Sequence, residues 1–128
     1  MASILVVDDD PDFREWAATI LRQRGHEVLA ASSARFMVEP GHGTWPPLAF
    51  DVAIIDMIMP EFDGIEAIRA LGAQCPSTRI VAMSGGGDRG DAEGYLRMAE
   101  RFGAVGRLAK PFAAGDLCDA VERALRSI

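Results

Sequence analysis

The sequence predicts an α/β fold, with a doubly wound, five-stranded parallel sheet and helices on both faces. Two observations support this class. Five short aliphatic runs alternate with segments whose apolar residues recur at helical spacing, which is the pattern of successive strand–helix units. The runs are apolar without alternation, as expected of strands covered on both faces. Right-handed crossovers between such strands place helices on both sides of the sheet.

The predicted strands are short, and the second is the weakest of them. They cover residues 4–7, 28–31, 52–55, 80–83 and 105–109. The first helix is predicted to begin at Pro11, because proline suits the first helical position and Asp10 before it can cap the helix. Gly25 is expected to stop this helix. Its apolar stripe contains Phe13, Trp16, Ala17, Ile20 and Leu21.

Three further helices are predicted. A short helix over residues 64–71 is expected to end at Gly72, with Pro76 beyond it. The helix after the fourth strand has on its apolar side Tyr95, Leu96, Ala99 and Phe102. The last helix carries at helical spacing Leu117, Val121, Ala124, Leu125 and Ile128. Prolines and glycines at positions 40–47 would end within about two turns any helix that begins after Ser33.

Size and charge exclude several classes of function. A chain of 128 residues is long enough for one domain, which we expect to span residues 1–128. The net charge of −6 argues against general nucleic-acid binding, which requires a basic face. No apolar run approaches the ~20 residues of a membrane span, and no signal peptide is evident. Cys75 and Cys118 lack the spacing of metal ligands, and we expect a cytoplasmic, reduced protein that binds neither nucleic acid nor membrane.

The stretch from Asp51 to Gly64, DVAIIDMIMPEFDG, is the most informative part of the chain. Four apolar residues form a strand buried on both faces, and Asp56 follows them directly. A carboxylate at that position is unfavourable unless a cation meets it. In open α/β sheets, the carboxyl ends of the strands are also where ligands bind. Asp56 is therefore the first candidate for chemistry.

Polar side chains follow three other strands at the same edge. Asp8 and Asp9 follow the first strand, Ser84 the fourth and Lys110 the fifth. Because the carboxyl ends of parallel strands share one edge, these side chains can converge on Asp56. Two carboxylates ~4–5 Å apart repel by roughly 3–4 kcal/mol at an effective dielectric of about 20, which a divalent cation and a lysine would relieve. An all-oxygen site with few protein ligands favours Mg²⁺.

These groups are suited to the formation of an aspartyl phosphate. A carboxylate can act as the nucleophile without a general base. Phosphoryl transfer depends mainly on positioning and on neutralising the charge of three equatorial oxygens. Mg²⁺, the Lys110 ammonium and the Ser84 hydroxyl could each take one of those oxygens. The residues therefore predict phosphoryl transfer to Asp56.

Four segments carry a resemblance to a known family. ILVVDD, DVAIIDMIMPEFDG, AMSG and GAVGRLAKPF resemble, in order and spacing, the receiver domain of two-component response regulators, over essentially the whole chain. The resemblance implies a flavodoxin-like sheet with strand order 2-1-3-4-5. It also implies that Asp56 is the phosphoacceptor and that Asp9 and Asp56 bind Mg²⁺ directly. The Ile58 backbone carbonyl would be a third ligand, and Asp8 would act through water.

The remaining roles also follow from the resemblance. Ser84 would be the switch hydroxyl and Lys110 the phosphate-binding lysine, with a cis Lys110–Pro111 bond. The phosphoryl donor would be a sensor histidine kinase or a histidine phosphotransfer protein. Phosphorylation would change the surface formed by the helix after strand four, strand five and the last helix, where a downstream protein target would bind. Such a stand-alone receiver would not be an enzyme beyond catalysing its own phosphorylation and dephosphorylation.

Three departures from the family pattern bear on the switch. Where many receivers carry an aromatic residue on strand five, this chain has Arg107, whose guanidinium cannot be buried unpaired. We expect Arg107 to make a charged contact on the partner-binding face. The loop at positions 84–91 is longer and richer in glycine than usual, and we expect it to become ordered when Ser84 moves inward. The Pro- and Gly-rich positions 40–47 replace much of the second helix.

Two other functions are compatible with parts of the pattern. Gly85, Gly87 and Gly90 match the dinucleotide-binding fingerprint, although they follow the fourth strand and not the first. The second alternative is a Mg²⁺-dependent phosphatase with an aspartyl-phosphate intermediate. Such enzymes usually carry an acid two residues after the nucleophile, where this chain has Ile58. A receiver-like domain that never accepts phosphate is disfavoured by the complete residue set.

Overall fold

In the part of the chain that the structure describes, each strand except the second is followed by a helix, in the order that the sequence pattern predicts. The computed structural model describes residues 2–33, 50–58, 64–74, 76–85 and 92–127. Within them lie five strands: β1 (Ser3–Val7), β2 (Glu27–Ala31), β3 (Val52–Asp56), β4 (Arg79–Gly85) and β5 (Gly106–Lys110). The four helices of the same residues are α1 (Pro11–Gln23), α2 (Gly64–Gln74), α3 (Ala92–Arg101) and α4 (Ala114–Arg126). All five predicted strands are confirmed.

The strands form one parallel sheet in the order β2-β1-β3-β4-β5. This is the predicted 2-1-3-4-5 order. β3 lies at the centre and all of its residues are buried, which explains why its sequence is apolar without alternation. β2 is an edge strand and is partly exposed along its length. Its weaker apolar pattern therefore reflects its position in the sheet.

Alternate residues of the strands point to opposite faces of the sheet and form two separate cores. In β1, Leu5 and Val7 belong to one cluster, and Ile4 and Val6 belong to the other. Residues of α2 and α3 complete the first cluster, and residues of α1 and α4 complete the second. The doubly wound arrangement with helices on both faces is therefore confirmed.

Local signals at the ends of α1 act as predicted. Asp10 is the N-cap, and its Oδ1 accepts a hydrogen bond from the Asp12 N–H at 2.9 Å. Pro11 is the first helical residue. Gly25 adopts a φ of 89° just beyond the helix, a conformation that glycine reaches without the steric penalty of a side chain.

α2 is longer than predicted. It continues through Gly72 to Gln74, so the prediction that Gly72 ends it is wrong. An interior glycine destabilises a helix by only about 1 kcal/mol, and burial of Ile68 and Leu71 on the inner face favours the helix. Pro76 follows shortly after and is the stronger stop, because proline lacks the backbone N–H and clashes with the preceding turn.

The helices lie where the sequence predicts them, but part of the predicted apolar stripe is exposed in two of them. In α3, Leu96 and Ala99 are buried, but Tyr95 and Phe102 are 40% and 48% exposed. α3 packs on β4 and β5 at one edge of the sheet, where only a narrow arc of a helix can be covered. Trp16 of α1 is likewise 37% exposed.

Some predictions lie outside the described residues. They concern a helix after Ser33, the prolines and glycines at positions 40–47, and the glycine-rich positions 86–90. Cys118 is described and is buried on α4, as its position on an apolar face predicts. Among the helices that the structure describes, none is long and apolar enough to cross a membrane. That residues 1–128 form a single domain stays a prediction.

Candidate functional site

Three carboxylates meet at the carboxyl edge of the sheet. Asp8 and Asp9 follow β1, and Asp56 is the last residue of β3, the neighbouring strand. Each offers an oxygen atom, and these three atoms lie within 4.8 Å of one another. Asp8 is fully buried and Asp56 is 5% exposed, whereas Asp9 is exposed. The convergence predicted from the strand ends is therefore observed for these residues.

Lys110, at the end of β5, supplies the positive charge. Its Nζ donates a hydrogen bond to Asp8 Oδ2 at 2.6 Å and lies 3.6 Å from Asp56 Oδ2. Because β4 separates β5 from β3, the long lysine side chain extends past the end of β4 to reach the carboxylates. The Lys110–Pro111 bond is cis, as the resemblance implies.

Asp8 has partners besides the lysine. Its Oδ1 accepts a hydrogen bond from the Asp10 N–H at 2.9 Å, and its backbone carbonyl accepts one from Arg14 Nη1 at 2.8 Å. A fully buried carboxylate needs such partners, since the burial of an unpaired charge is strongly unfavourable. These bonds hold Asp8 in place at the edge of the sheet.

Asp56 combines burial with opposing electrostatic effects. Their net effect raises the pKa of Asp56 from 3.8 to about 6, and burial, which raises it, is the largest of them. The Ile58 N–H, which donates to Asp56 Oδ1 at 3.0 Å, lowers the pKa, as does the Lys110 ammonium. The Asp8 and Asp9 carboxylates raise it. Asp56 is thus a carboxylate whose negative charge would gain from a bound cation.

Ser84 lies near the end of β4, the strand between β3 and β5. It belongs to the strand, opposite Ala109 of β5, and is fully buried. Its hydroxyl has no hydrogen-bond partner among the described residues. An unsatisfied buried hydroxyl is unfavourable by about 1–3 kcal/mol, so this group is available to an oxygen ligand. The predicted ordering of the glycine-rich loop when Ser84 moves inward stays a prediction, because positions 86–91 lie outside the described residues.

Arg107 makes charged contacts within the chain. It is exposed on β5, and its Nη1 lies 2.5 Å from Glu93 Oε1 and 3.9 Å from Glu100 Oε1, both on α3. The hydrogen bond and negative charge of Glu93 raise the pKa of Arg107, so the guanidinium stays charged. A charged contact between Arg107 and another protein stays a prediction.

Two residues at this edge were not predicted to act there. The sequence places Phe13 only on the apolar stripe of α1, yet its ring centroid lies 4.3 Å from Lys110 Nζ. Arg14 donates a hydrogen bond to the Asp8 carbonyl, and no sequence motif marks it as a site residue. Their shared position in the first turn of α1, directly after the acidic residues, is the feature that could have indicated both.

The donor set fits a magnesium ion. Mg²⁺ prefers oxygen ligands and is usually held by one or two carboxylates together with water. Asp8 is already engaged by Lys110 at 2.6 Å, which agrees with a role through water. The Ile58 N–H bond to Asp56 brings the Ile58 backbone next to the carboxylates. Direct ligation by Asp9, Asp56 and the Ile58 carbonyl stays a prediction.

The fold and the site together define a class of protein. It is a doubly wound α/β domain with an acidic cluster, a lysine and a free hydroxyl at the carboxyl edge of its sheet, groups suited to a metal ion and a phosphoryl group. The family model of the response regulator receiver domain matches residues 4–122. The chain belongs to this family, and it is a receiver domain of the two-component response regulators.

Individual relatives agree with this assignment. The chain is 36% identical to the DNA-binding transcriptional regulator NtrC of Azospirillum brasilense, over 98% of this chain and 24% of that protein. It is 29% identical to the chemotaxis protein CheY of Listeria monocytogenes, over 98% of this chain and 100% of that protein. The solved receiver domain of NtrX from Brucella abortus matches with a TM-score of 0.80 at 31% identity, over 98% of this chain and 99% of that chain.

The chain thus spans about a quarter of the length of NtrC and of the similar regulator DctD of Pseudomonas aeruginosa, but the whole of CheY. Family membership favours the receiver interpretation over the dinucleotide-binding and phosphatase alternatives. Most of the dinucleotide fingerprint, positions 86–90, lies outside the described residues.

Proposed function

We propose that this receiver accepts a phosphoryl group on Asp56 from a phosphohistidine of a sensor histidine kinase or a histidine phosphotransfer protein. One observation carries the proposal: the nearly buried Asp56 carboxylate lies 3.6 Å from the Lys110 ammonium and within 4.8 Å of oxygens from two further carboxylates. The candidate nucleophile Asp56, the Lys110 ammonium and the candidate metal site are thus adjacent. The proposal places the protein in the cytoplasm, where such kinases draw on ATP.

In the proposed reaction, a carboxylate oxygen of Asp56 attacks the phosphorus atom. An O–P bond forms, the P–N bond to the histidine breaks, and the imidazole leaves with the bonding electron pair. The carboxylate needs no general base, because it carries no proton when it is ionised. Lys110 neutralises charge on one equatorial oxygen, and the Ser84 hydroxyl donates a hydrogen bond to another.

The acidic residues would hold the metal ion that this reaction requires. Asp9, Asp56 and the Ile58 carbonyl would be direct ligands, and Asp8 would act through water. Bound there, Mg²⁺ would neutralise part of the negative charge of the phosphoryl oxygens. Asp8 also fixes the Lys110 ammonium through its 2.6 Å hydrogen bond.

The proposed output surface consists of α3, β5 and α4. Ser84 lies in β4 opposite Ala109 of β5, so a change in its hydrogen bonding would be transmitted to the neighbouring strand. Arg107 on β5 is paired with Glu93 on α3, which links the strand to the helix. A protein target would bind this surface and respond to phosphorylation.

Phosphorylation by a small donor tests the proposal. With phosphoramidate and Mg²⁺, intact-protein mass spectrometry should show the addition of one phosphoryl group to the wild type and none to Asp56→Asn. Asp119→Asn, which removes an exposed carboxylate from α4, is the matched control and should react normally. Beryllofluoride with Mg²⁺, followed by NMR, should likewise change the wild type and leave Asp56→Asn unchanged. An equal response of wild type and Asp56→Asn would move the site elsewhere.

A further inference from the structure

The ring of Phe13 faces the ammonium group of Lys110. Nζ lies 4.3 Å from the ring centroid, a distance typical of a cation–π contact. The same nitrogen donates to Asp8 Oδ2 at 2.6 Å and lies 3.6 Å from Asp56 Oδ2. The ammonium is therefore in contact with one aromatic face as well as with the carboxylates.

The Phe13 contact adds to the restraint that the Asp8 hydrogen bond places on the Lys110 ammonium. A lysine has a flexible four-carbon stem and a compact charge that water solvates strongly. The Lys110 side chain is 24% exposed. It borders a surface cleft of about 300 Å³ whose other lining residues are Phe13, Trp16, Pro111 and Phe112. Without the ring on that side, the attraction of the Asp8 and Asp56 carboxylates would have to hold the ammonium against solvation from the cleft.

The Phe13 ring is itself held in place by two aromatic neighbours. The Phe112 ring meets it edge to face, with centroids 5.9 Å apart and an interplanar angle of 82°. The Trp16 ring lies 5.6 Å away. Such pairs are favourable beyond their apolar burial. The first turn of α1 and the segment after β5 thus fix the ring that faces the lysine.

We propose that Phe13 is a positioning residue for phosphoryl transfer, acting through Lys110. The inference rests on the proposed function of Asp56. The face of the Phe13 ring attracts the Lys110 ammonium and keeps it beside Asp56 when the phosphoryl group arrives. Asp8 also holds the lysine, but a further carboxylate in the place of Phe13 would add a negative charge that repels the incoming phosphoryl oxygens. A neutral aromatic face holds the cation without that repulsion.

Fluorination of the ring tests the proposal. Fluorine withdraws electron density from the ring face while nearly preserving the shape of the side chain, so the fold is retained. With one, two and more fluorine atoms on Phe13, the rate constant for phosphorylation at saturating phosphoramidate should fall stepwise, by about three- to tenfold for the most fluorinated ring. The donor concentration at half-maximal rate should change little. The same substitutions at Phe102, an exposed residue following α3, should leave the rate unchanged.

A second readout does not require phosphorylation. In NMR spectra of the metal-free protein, the ring current of Phe13 should shift the Lys110 ε-methylene protons upfield, and Phe13→Leu should abolish this shift. An unshifted wild-type signal, or an unchanged rate across the fluorinated series, would overturn the positioning role. If the wild type took up no phosphate at Asp56, the proposed function would be overturned first and this inference with it.

Discussion

Asp56 is a nearly buried carboxylate whose pKa is shifted by its surroundings. Burial opposes its ionisation more strongly than the Ile58 N–H and the Lys110 ammonium favour it, and the pKa therefore rises to about 6. Groups with strongly perturbed pKa values are common at functional sites, because the fold tolerates local instability where chemistry requires it. The same burial that raises the pKa also strengthens the attraction of the carboxylate to a cation.

The raised pKa predicts that Asp56 makes the metal-free protein less stable as the pH rises from about 4 to about 6. In this range the folded protein keeps a proton on Asp56 that the unfolded chain, with a pKa near 3.8, has released. Above this range both states are ionised, and the folded state contains a buried charge that destabilises it by on the order of 2–3 kcal/mol. In urea unfolding with EDTA, the free energy of unfolding of Asp56→Asn, taken relative to that of the wild type, should increase by this amount as the pH rises through this range.

The exposed Asp119 again provides the control. The difference in unfolding free energy between Asp119→Asn and the wild type should stay nearly constant over the same pH range. If the unfolding free energies of Asp56→Asn and wild type ran parallel with pH, the assigned pKa would be wrong.

At the scale of elements, the start of α2 is tied to the turn after β3. A Cβ on Gly64 would lie 2.5 Å from Met57 Cα and 2.8 Å from the Asp56 carbonyl oxygen. These are backbone atoms, which cannot rotate away as the end of a side chain can. The Gly64 N–H also donates to the Met57 carbonyl at 3.3 Å. The close approach of α2 to the turn that carries the nucleophile therefore requires glycine.

Gly64→Ala should destabilise the protein by about 1–3 kcal/mol, because the added methyl group forces the backbone apart. It should also slow the phosphorylation of Asp56, since the displaced backbone carries that residue. Urea unfolding and the rate of reaction with phosphoramidate measure the two effects.

Gly72 of the same helix is the matched control for this substitution. No atom would lie within 4 Å of a Cβ there, so Gly72→Ala should stabilise the protein by about 0.5–1 kcal/mol through the better helix propensity of alanine. Similar losses of stability in both variants would show that close approach at Gly64 is not the cause.

At the scale of the whole molecule, folding itself creates the acidic cluster. Asp8 and Asp9 are far from Asp56 in sequence and come together only because β1 and β3 are neighbours in the sheet. A ligand that binds the folded state but not the unfolded chain stabilises the fold by mass action, by about 2.7 kcal/mol at a concentration one hundred times its Kd. Metal binding at this edge should therefore be visible in global stability.

Mg²⁺ should raise the Tm of the wild type in a concentration-dependent way, and Asp9→Asn should lose most of this increase. Asp9 is exposed, so its substitution should change the metal-free Tm little. Asp119→Asn should keep the full response. A Mg²⁺-dependent increase that is equal in wild type and Asp9→Asn would place the ion at another site.

The strand order 2-1-3-4-5 was implied by the family resemblance. By itself, the sequence determined the order of the elements and the meeting of Asp8, Asp9, Asp56 and Lys110 at one edge of a parallel sheet. These features depend on local periodicity, on caps such as Asp10 and Pro11, and on the rule that parallel strands share a carboxyl edge. Each of these can be read from residues close together in the chain, or from the order in which they occur.

Only the tertiary structure decided which side chains touch across elements. It paired Arg107 with Glu93 of α3, placed the Phe13 ring against Lys110, and left Tyr95 exposed on a helix at the edge of the sheet. These outcomes depend on distances of a few ångströms between residues that are well separated in sequence and on how much of each helix the sheet can cover. Periodicity carries no information about either quantity, because it describes a helix or strand before it is packed.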